Sequence, residues 1–209
     1  MGKSLFITFE GPDGSGKTTV STAVANRLIE EGYAVLYTRE PGGIDIAEQI
    51  RNVILDPANT AMDARTEALL YAASRRQHLV EKVIPALAQG ITVISDRFVD
   101  SSLAYQGWGR NLGIEEVLAI NSFAIENHMP DKTIFLHVDA KTGLKRIQKG
   151  RATLDRLDQE TDSFHQKVYE GYQKVIEMYA ERMIVIDASQ QVQQVIEEAY
   201  QQIKGLLDV

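Results

Sequence analysis

The chain has 209 residues, 44% hydrophobic and 24% charged, which suits one α/β domain spanning residues 1–209 with room for a sizeable core. Its formal net charge of −7 argues against a general nucleic-acid-binding surface, although a local basic cleft stays compatible with it. There is no cysteine, which excludes disulfides, thiolate metal sites and cysteine nucleophiles.

Apolar strand-like runs alternate with longer helical patterns. Leu5–Phe9 predicts a first strand. Lys17–Glu31 predicts a helix, with Val20, Val24 and Leu28 on one face and Gly32 as its stop. Ala34–Thr38 reads as the second strand, and Ile46–Leu55 and Arg65–Ala88 as helices. Ile91–Ser95 is a continuous apolar strand that ends on Asp96-Arg97. Glu115–Glu126 predicts a helix, Thr133–Val138 a fourth strand, and Thr142–Lys149 and Phe164–Glu181 further helices. Met183–Ile186 is a fifth strand, and Val192–Leu207 a last helix. Buried parallel strands read as continuous apolar runs, and alternation with helices predicts a doubly wound parallel sheet. In such sheets ligands bind beyond the carboxyl ends of the strands, which directs attention to Gly11–Thr18, Arg39–Gly43 and Asp96–Asp100.

No apolar run approaches the ~20 residues that span a bilayer, and residues 1–9 show neither a signal-type apolar region nor a cleavage site. A soluble, cytoplasmic protein is the expectation, with neither membrane nor nucleic acid as partner.

The segment Gly11-Pro12-Asp13-Gly14-Ser15-Gly16-Lys17-Thr18 fits G-x-x-x-x-G-K-[ST] at every fixed position, between a strand and a helix. Glycines let the backbone N–H groups converge on phosphate oxygens, and the helix N-terminus adds donors and a favourable dipole. Lys17 can reach the outer phosphates of ATP, and the Thr18 hydroxyl can ligate Mg2+, with Thr19 next to it. Asp13 is unexpected, because phosphate repels a carboxylate. Either it faces a hydroxyl or amine of a second substrate, or it is a turn residue of a common Asp-Gly pair.

Asp96, at the end of the third strand, could order Mg2+ and its waters, and Arg97 beside it could hold a phosphate. Of twelve arginines, Arg39, Arg97, Arg110, Arg151 and Arg156 fall in loops or at element ends near the expected cleft, with Arg51 and Arg75 on flanking helices. Two phosphate chains need such cations between them, although solvation is the default for any one surface arginine. Residues 150–162, with two arginines and few apolar anchors, look like a lid; an ordinary charged connection is the alternative. The four histidines show no metal-ligand spacing and read as structural or exposed. Glu115-Glu116 and Glu197-Glu198 read as solvated helix faces.

Neither a guanine-reading [NT]-K-x-D nor a transporter-type L-S-G-G-Q signature is present, which leaves a small-molecule kinase. Over essentially its whole length the chain resembles the bacterial thymidylate kinases, a family of P-loop nucleoside monophosphate kinases. The resemblance is carried by Phe9–Thr19, Thr38-Arg-Glu-Pro-Gly-Gly43, Ala72-Ala-Ser-Arg-Arg-Gln-His78, Asp96-Arg-Phe98, Asp100-Ser-Ser-Leu-Ala-Tyr-Gln106 and Arg156-Leu-Asp158. It implies a three-layer fold with a five-stranded parallel sheet, a homodimer, and the reaction ATP + dTMP → ADP + dTDP with Mg2+. It also implies roles. Asp13 would bind the sugar 3′-hydroxyl or order water near the acceptor phosphate. Arg39, Arg51 and Arg97 would contact or border that phosphate, and Glu40 would line the pocket near the metal. Tyr71, where phenylalanine is commoner in the family, would stack on thymine. Arg75 would hydrogen-bond a base carbonyl, Ser102 and Gln106 would read the base edge, and Tyr105 would crowd the sugar 2′ position. The phosphate loop lacks the arginine that some members carry, so Arg151 or Arg156 of the lid would supply that charge. A kinase for another nucleoside monophosphate or a nucleoside is the alternative, and a nucleotide-binding module without turnover is a third reading.

Overall fold

The computed structural model describes residues 4–150 and 155–208, with the side chains of 148–150 outside the description. Five strands form one parallel sheet: β1 (Phe6–Glu10), β2 (Val35–Arg39), β3 (Thr92–Asp96), β4 (Lys132–His137) and β5 (Met183–Asp187), in the spatial order β2-β3-β1-β4-β5. All of β1 and β3 is buried, as strands in the middle of a sheet covered on both faces must be. Their side chains alternate. Ile7 and Phe9 join a core with Val20, Val24 and Leu28 of α1 (Lys17–Glu30) and Val195, Ala199 and Ile203 of α9 (Val192–Leu207). Phe6 faces the other side, among Leu79, Val93, Phe98 and Val117. Each fully buried aliphatic side chain of this kind stabilises the fold by roughly 1.5–3 kcal/mol.

The remaining helices are α2 (Asp45–Leu55), α3 (Ala64–His78), α4 (Ile84–Ala88), α5 (Val99–Ser102), α6 (Ile114–Ile125), α7 (Ala140–Gly150) and α8 (Asp162–Met178). Strands and helices lie where the sequence pattern predicts them, with two differences. The single helix expected over Arg65–Ala88 is interrupted: α3 passes through widened π-type turns at Leu79–Val83 before α4 begins. Pro85 supplies the reason, since it lacks the N–H that a continuous α-helix would use. The second difference is helical structure that the pattern did not predict. Residue Leu103 continues α5 into π-type turns as far as Gly109. Nearly all of this segment is buried, so it shows no polar face and no helical period. It packs against α8 at Gly171, where a Cβ would lie 2.8 Å from Trp108 Cβ, so only glycine allows the approach.

The phosphate loop joins β1 to α1, and Asp96–Arg97 leaves the neighbouring strand β3 at the same edge. With Arg39–Pro41 at the end of β2, the fold gathers three loops distant in sequence at one mouth.

Candidate active site

The phosphate loop comes first because its geometry is local. Gly11, Gly14 and Gly16 all take positive φ. Gly14 shows the need for glycine: its φ is +77°, and a Cβ there would lie 2.1 Å from the carbonyl oxygen of Gly143 on α7. The first turn of α1 carries no acidic residue, so its N–H groups stay suited to an anion. Lys17 is buried, and its Nζ donates to the carbonyl oxygens of Gly11 and Pro12 at 2.8 and 2.9 Å. Burial, and then the charge of Arg97, push its pKa down to about 8. A bound phosphate would offset both effects and restore the charge. Thr18 and Thr19 stand exposed at the start of the helix, and the Thr18 hydroxyl donates to Asp96 at the end of β3.

Next to Asp96 the chain does something unusual. Arg97 has φ 73°, a left-handed conformation that costs a non-glycine residue roughly 1 kcal/mol. Glu10, the last residue of β1, holds this turn from beneath. Its Oε1 accepts the backbone N–H groups of Phe98 and Ser101 at 2.7 and 3.2 Å. Its Oε2 accepts the hydroxyls of Ser101 and Tyr172 at 2.6 and 3.0 Å. Burial, with the nearby Asp100, pushes the Glu10 pKa up to about 7. Arg182 lies behind, donating to both oxygens of the buried Asp100.

So placed, Arg97 donates to Asp13, and Tyr105 donates its hydroxyl to the other Asp13 oxygen at 2.7 Å. Asp13 therefore directs its carboxylate at the wall formed by Arg97 and Tyr105. Further along this wall Arg39 pairs with Glu48 at 2.8 Å, and Arg51 donates to the Pro41 carbonyl at 2.9 Å. One cleft of about 620 Å³ joins the phosphate loop to Arg39, Glu40, Arg51, Tyr71, Asp96, Arg97, Tyr105 and Gln106. That volume suits small-molecule substrates.

Other expected residues sit differently. Arg75 and Ser102 are buried behind the cleft wall and are not part of its lining. The Arg75 guanidinium donates to Glu40 at 2.7 Å, Ser102 at 3.1 Å, the Phe98 carbonyl at 3.0 Å and Asn121. Glu40 also accepts from His78 Nδ1 at 2.9 Å, and His78 Nε2 shares a hydrogen bond with the Thr38 hydroxyl at 2.7 Å. His78 thus links Glu40 to Thr38 inside the wall. Arg156 is 8% exposed, donating to Glu67 at 2.5 Å and to the Ile54 carbonyl at 2.7 Å. Arg151, the other expected lid arginine, lies outside the described residues. Sequence reasoning missed Glu10, Glu67 and Tyr172, together with Arg146 and Gln190, which line the cleft near α1 and α9. For Glu10 a signal existed: it is the one charged residue of its strand.

A parallel five-stranded sheet with a phosphate loop after its central strand defines a P-loop NTPase fold, here with a second polar wall facing the loop. The sequence model of the thymidylate kinase family matches residues 9–199. The thymidylate kinase of Geobacillus sp. (strain WCH70) is 58% identical over 194 residues, covering 92% of each chain. That of Halalkalibacterium halodurans is 55% identical over 210 residues, covering 100% of each. A crystal structure of thymidylate kinase from Ehrlichia chaffeensis is similar at a TM-score of 0.79 and 32% identity, over 96% of this chain and 98% of that one. The chain belongs to the thymidylate kinase family. Among the described residues no helix is long and apolar enough to cross a membrane.

Proposed function

We propose that this chain transfers the γ-phosphoryl group of ATP to dTMP, giving ADP and dTDP for dTTP synthesis. The observation that carries the reading is the single cleft in which the phosphate loop faces a wall of arginines, Tyr71 and Gln106. A donor triphosphate and an anionic, aromatic acceptor can meet there end to end.

In this reading Gly11–Thr19 cradles the donor phosphates, and Lys17 leaves its loop carbonyls for the outer phosphates. Arg97, with Arg39 and Arg51 bordering, holds the acceptor phosphate. Asp13 serves the acceptor through its place between Arg97 and Tyr105, and Tyr105 crowds the sugar. Tyr71 stacks on the base and Gln106 reads its edge. Arg75 and Ser102 reach the base only after a side-chain shift, and otherwise fix Glu40 and the wall. The acceptor phosphate is already anionic at neutral pH, so catalysis consists of positioning and charge stabilisation. The pairing of Arg156 with Glu67 favours Arg151 as the lid arginine that supplies transition-state charge, with Arg156 held by Glu67 and the Ile54 carbonyl.

Mg2+ suits this site. Thr18 and Asp96 meet at the cleft. Thr18 and Asp96 would hold the ion, and it would neutralise charge on the phosphate oxygens when bound. A homodimer in the cytoplasm completes the proposal.

Following ADP release with dTMP, dUMP, dCMP, dAMP and thymidine as acceptors tests the reading. dTMP should give the highest kcat/KM. A preference for any other acceptor would replace dTMP by that compound, and ATP binding with no turnover on any would leave a nucleotide-binding module.

A further inference from the structure

Glu67 lies on α3, 1% exposed, and no motif marks it. It nevertheless gathers three side chains from distant parts of the chain. Its Oε1 accepts from the Gln106 side-chain nitrogen at 2.8 Å and from Arg110 Nε at 3.2 Å. Its Oε2 accepts from Arg110 Nη2 at 3.0 Å and from Arg156 Nη2 at 2.5 Å. Burial works to raise its pKa, but the hydrogen bonds and charge of Arg110, with Gln106 and Arg156, hold it below the usual carboxylate value. Glu67 is therefore ionised at neutral pH and can only accept hydrogen bonds.

That restriction decides the orientation of Gln106. A side-chain amide offers a donor at one end and an acceptor at the other, and turning it over exchanges them. Against a neutral partner the two orientations can be close in energy. Against an ionised carboxylate the reversed orientation sets oxygen against oxygen. The Gln106 nitrogen is thereby committed to Glu67, and its carbonyl oxygen is the end left for a ligand in the cleft that Gln106 lines.

We infer that Glu67 is a positioning residue for base selection: by fixing the Gln106 amide it offers the acceptor base a hydrogen-bond acceptor only, and so favours a pyrimidine with a ring N–H. This inference rests on the proposed dTMP kinase function. Thymine and uracil carry a hydrogen on ring N3. Cytosine carries a lone pair there, which the Gln106 oxygen would repel. The 5-methyl group plays no part in this choice, so dTMP and dUMP should be treated alike by it.

Glu67→Gln keeps the shape of the side chain and removes the restriction, because a glutamine at 67 can present either oxygen or nitrogen to Gln106. The experiment measures kcat/KM for dTMP, dUMP and dCMP in the parent chain, in Glu67→Gln, and in Glu67→Gln combined with Gln106→Leu. Glu67→Gln should narrow the dTMP:dCMP ratio by at least about tenfold and leave the dTMP:dUMP ratio within about twofold. Adding Gln106→Leu should narrow the first ratio little further, since Glu67 acts through Gln106. An equal fall for all three acceptors, with both ratios unchanged, would mean that Glu67 only holds the fold and would overturn the inference. If Glu67→Gln does not fold, Glu67→Asp keeps the charge between Arg110 and Arg156 while withdrawing oxygen from Gln106. It should narrow the dTMP:dCMP ratio at least about threefold, and no change would again overturn the inference. A parent chain with no preference for dTMP over dCMP removes the dTMP reading and this inference with it. That failure appears before any variant is made, so the two failures are distinguishable.

Discussion

The two sides of the cleft are built in opposite ways. The donor side is a run of eight consecutive residues, Gly11–Thr18, whose working groups are backbone N–H donors, one lysine and one hydroxyl. The acceptor side has no such run. Its shape comes from three buried carboxylates, Glu10, Glu40 and Glu67, each binding groups far away in sequence: Ser101, Arg75 and Arg156 respectively. Local backbone geometry recurs whenever the same residue spacing recurs. A wall of long-range pairs exists only once the whole sheet has formed, and each carboxylate must be satisfied or its burial becomes costly. The donor side should therefore fail in chemistry when altered, and the acceptor side in assembly or selectivity.

The largest effect should follow from Lys17→Ala. It removes a charge aimed at the donor phosphates and should lower kcat by about 10³-fold, or ~4 kcal/mol of transition-state stabilisation. dTMP binding, measured by calorimetry without ATP, should change by less than about threefold, because among the described residues the hydrogen bonds of Lys17 go to its own loop. Near-normal kcat would remove the phosphate loop from the mechanism. Arg182→Leu probes the other side from behind. It leaves Asp100 buried without its main partner and should cost about 3–5 kcal/mol in a denaturant titration. For the fraction that stays folded, KM for both substrates should be unchanged. A fall in kcat with no loss of stability would count against the contrast drawn here.

The same contrast explains what the sequence made legible. All five strands, their parallel arrangement and the phosphate loop follow from apolar runs and one local motif. The helical stretch from Val99 to Gly109 did not follow, because it is nearly all buried and carries two glycines and two serines. Asp13 stands out in the sequence as a carboxylate within a phosphate loop, but its partners Arg97 and Tyr105 become neighbours only through the left-handed turn after β3. Arg156 read as a mobile lid cation, since its charge is visible in the sequence and its partner Glu67, 89 residues away, is not. Arg75 read as a group facing the base, yet Glu40, Ser102 and Asn121 hold it inside the wall. Residue type is legible in a sequence, and long-range pairing is not.

A smaller effect, on pH dependence, should come from Glu10. Burial and Asp100 raise its pKa from the usual 4.5 to about 7 in the folded chain. Between these values the folded state holds a proton that the unfolded state has released, so stability falls as pH rises through that window. Glu10→Gln cannot ionise, and its amide can still accept from the Phe98 N–H. Thermal unfolding across the same window should show the fall reduced by on the order of 1–2 kcal/mol. An unchanged slope would mean that Glu10 does not hold a proton across this window in the folded chain.

The smallest effect should be that of Tyr71→Phe, and its smallness is informative. Burial, and then the charge of Glu67, raise the Tyr71 pKa, so the hydroxyl stays neutral at any working pH. Among the described residues no hydrogen bond engages that hydroxyl, whereas the ring borders the cleft together with Arg51 and Gln106. If stacking on the base is its contribution, phenylalanine keeps it, and KM for dTMP should change by less than about threefold. Tyr71→Leu loses the aromatic face at similar volume and should raise KM about tenfold with kcat nearly constant, because stacking acts equally on ground and transition states. An increase in KM of the same size in both variants would assign the contribution to the hydroxyl. The acceptor wall would then read dTMP by polar contact at Tyr71 as well as at Gln106.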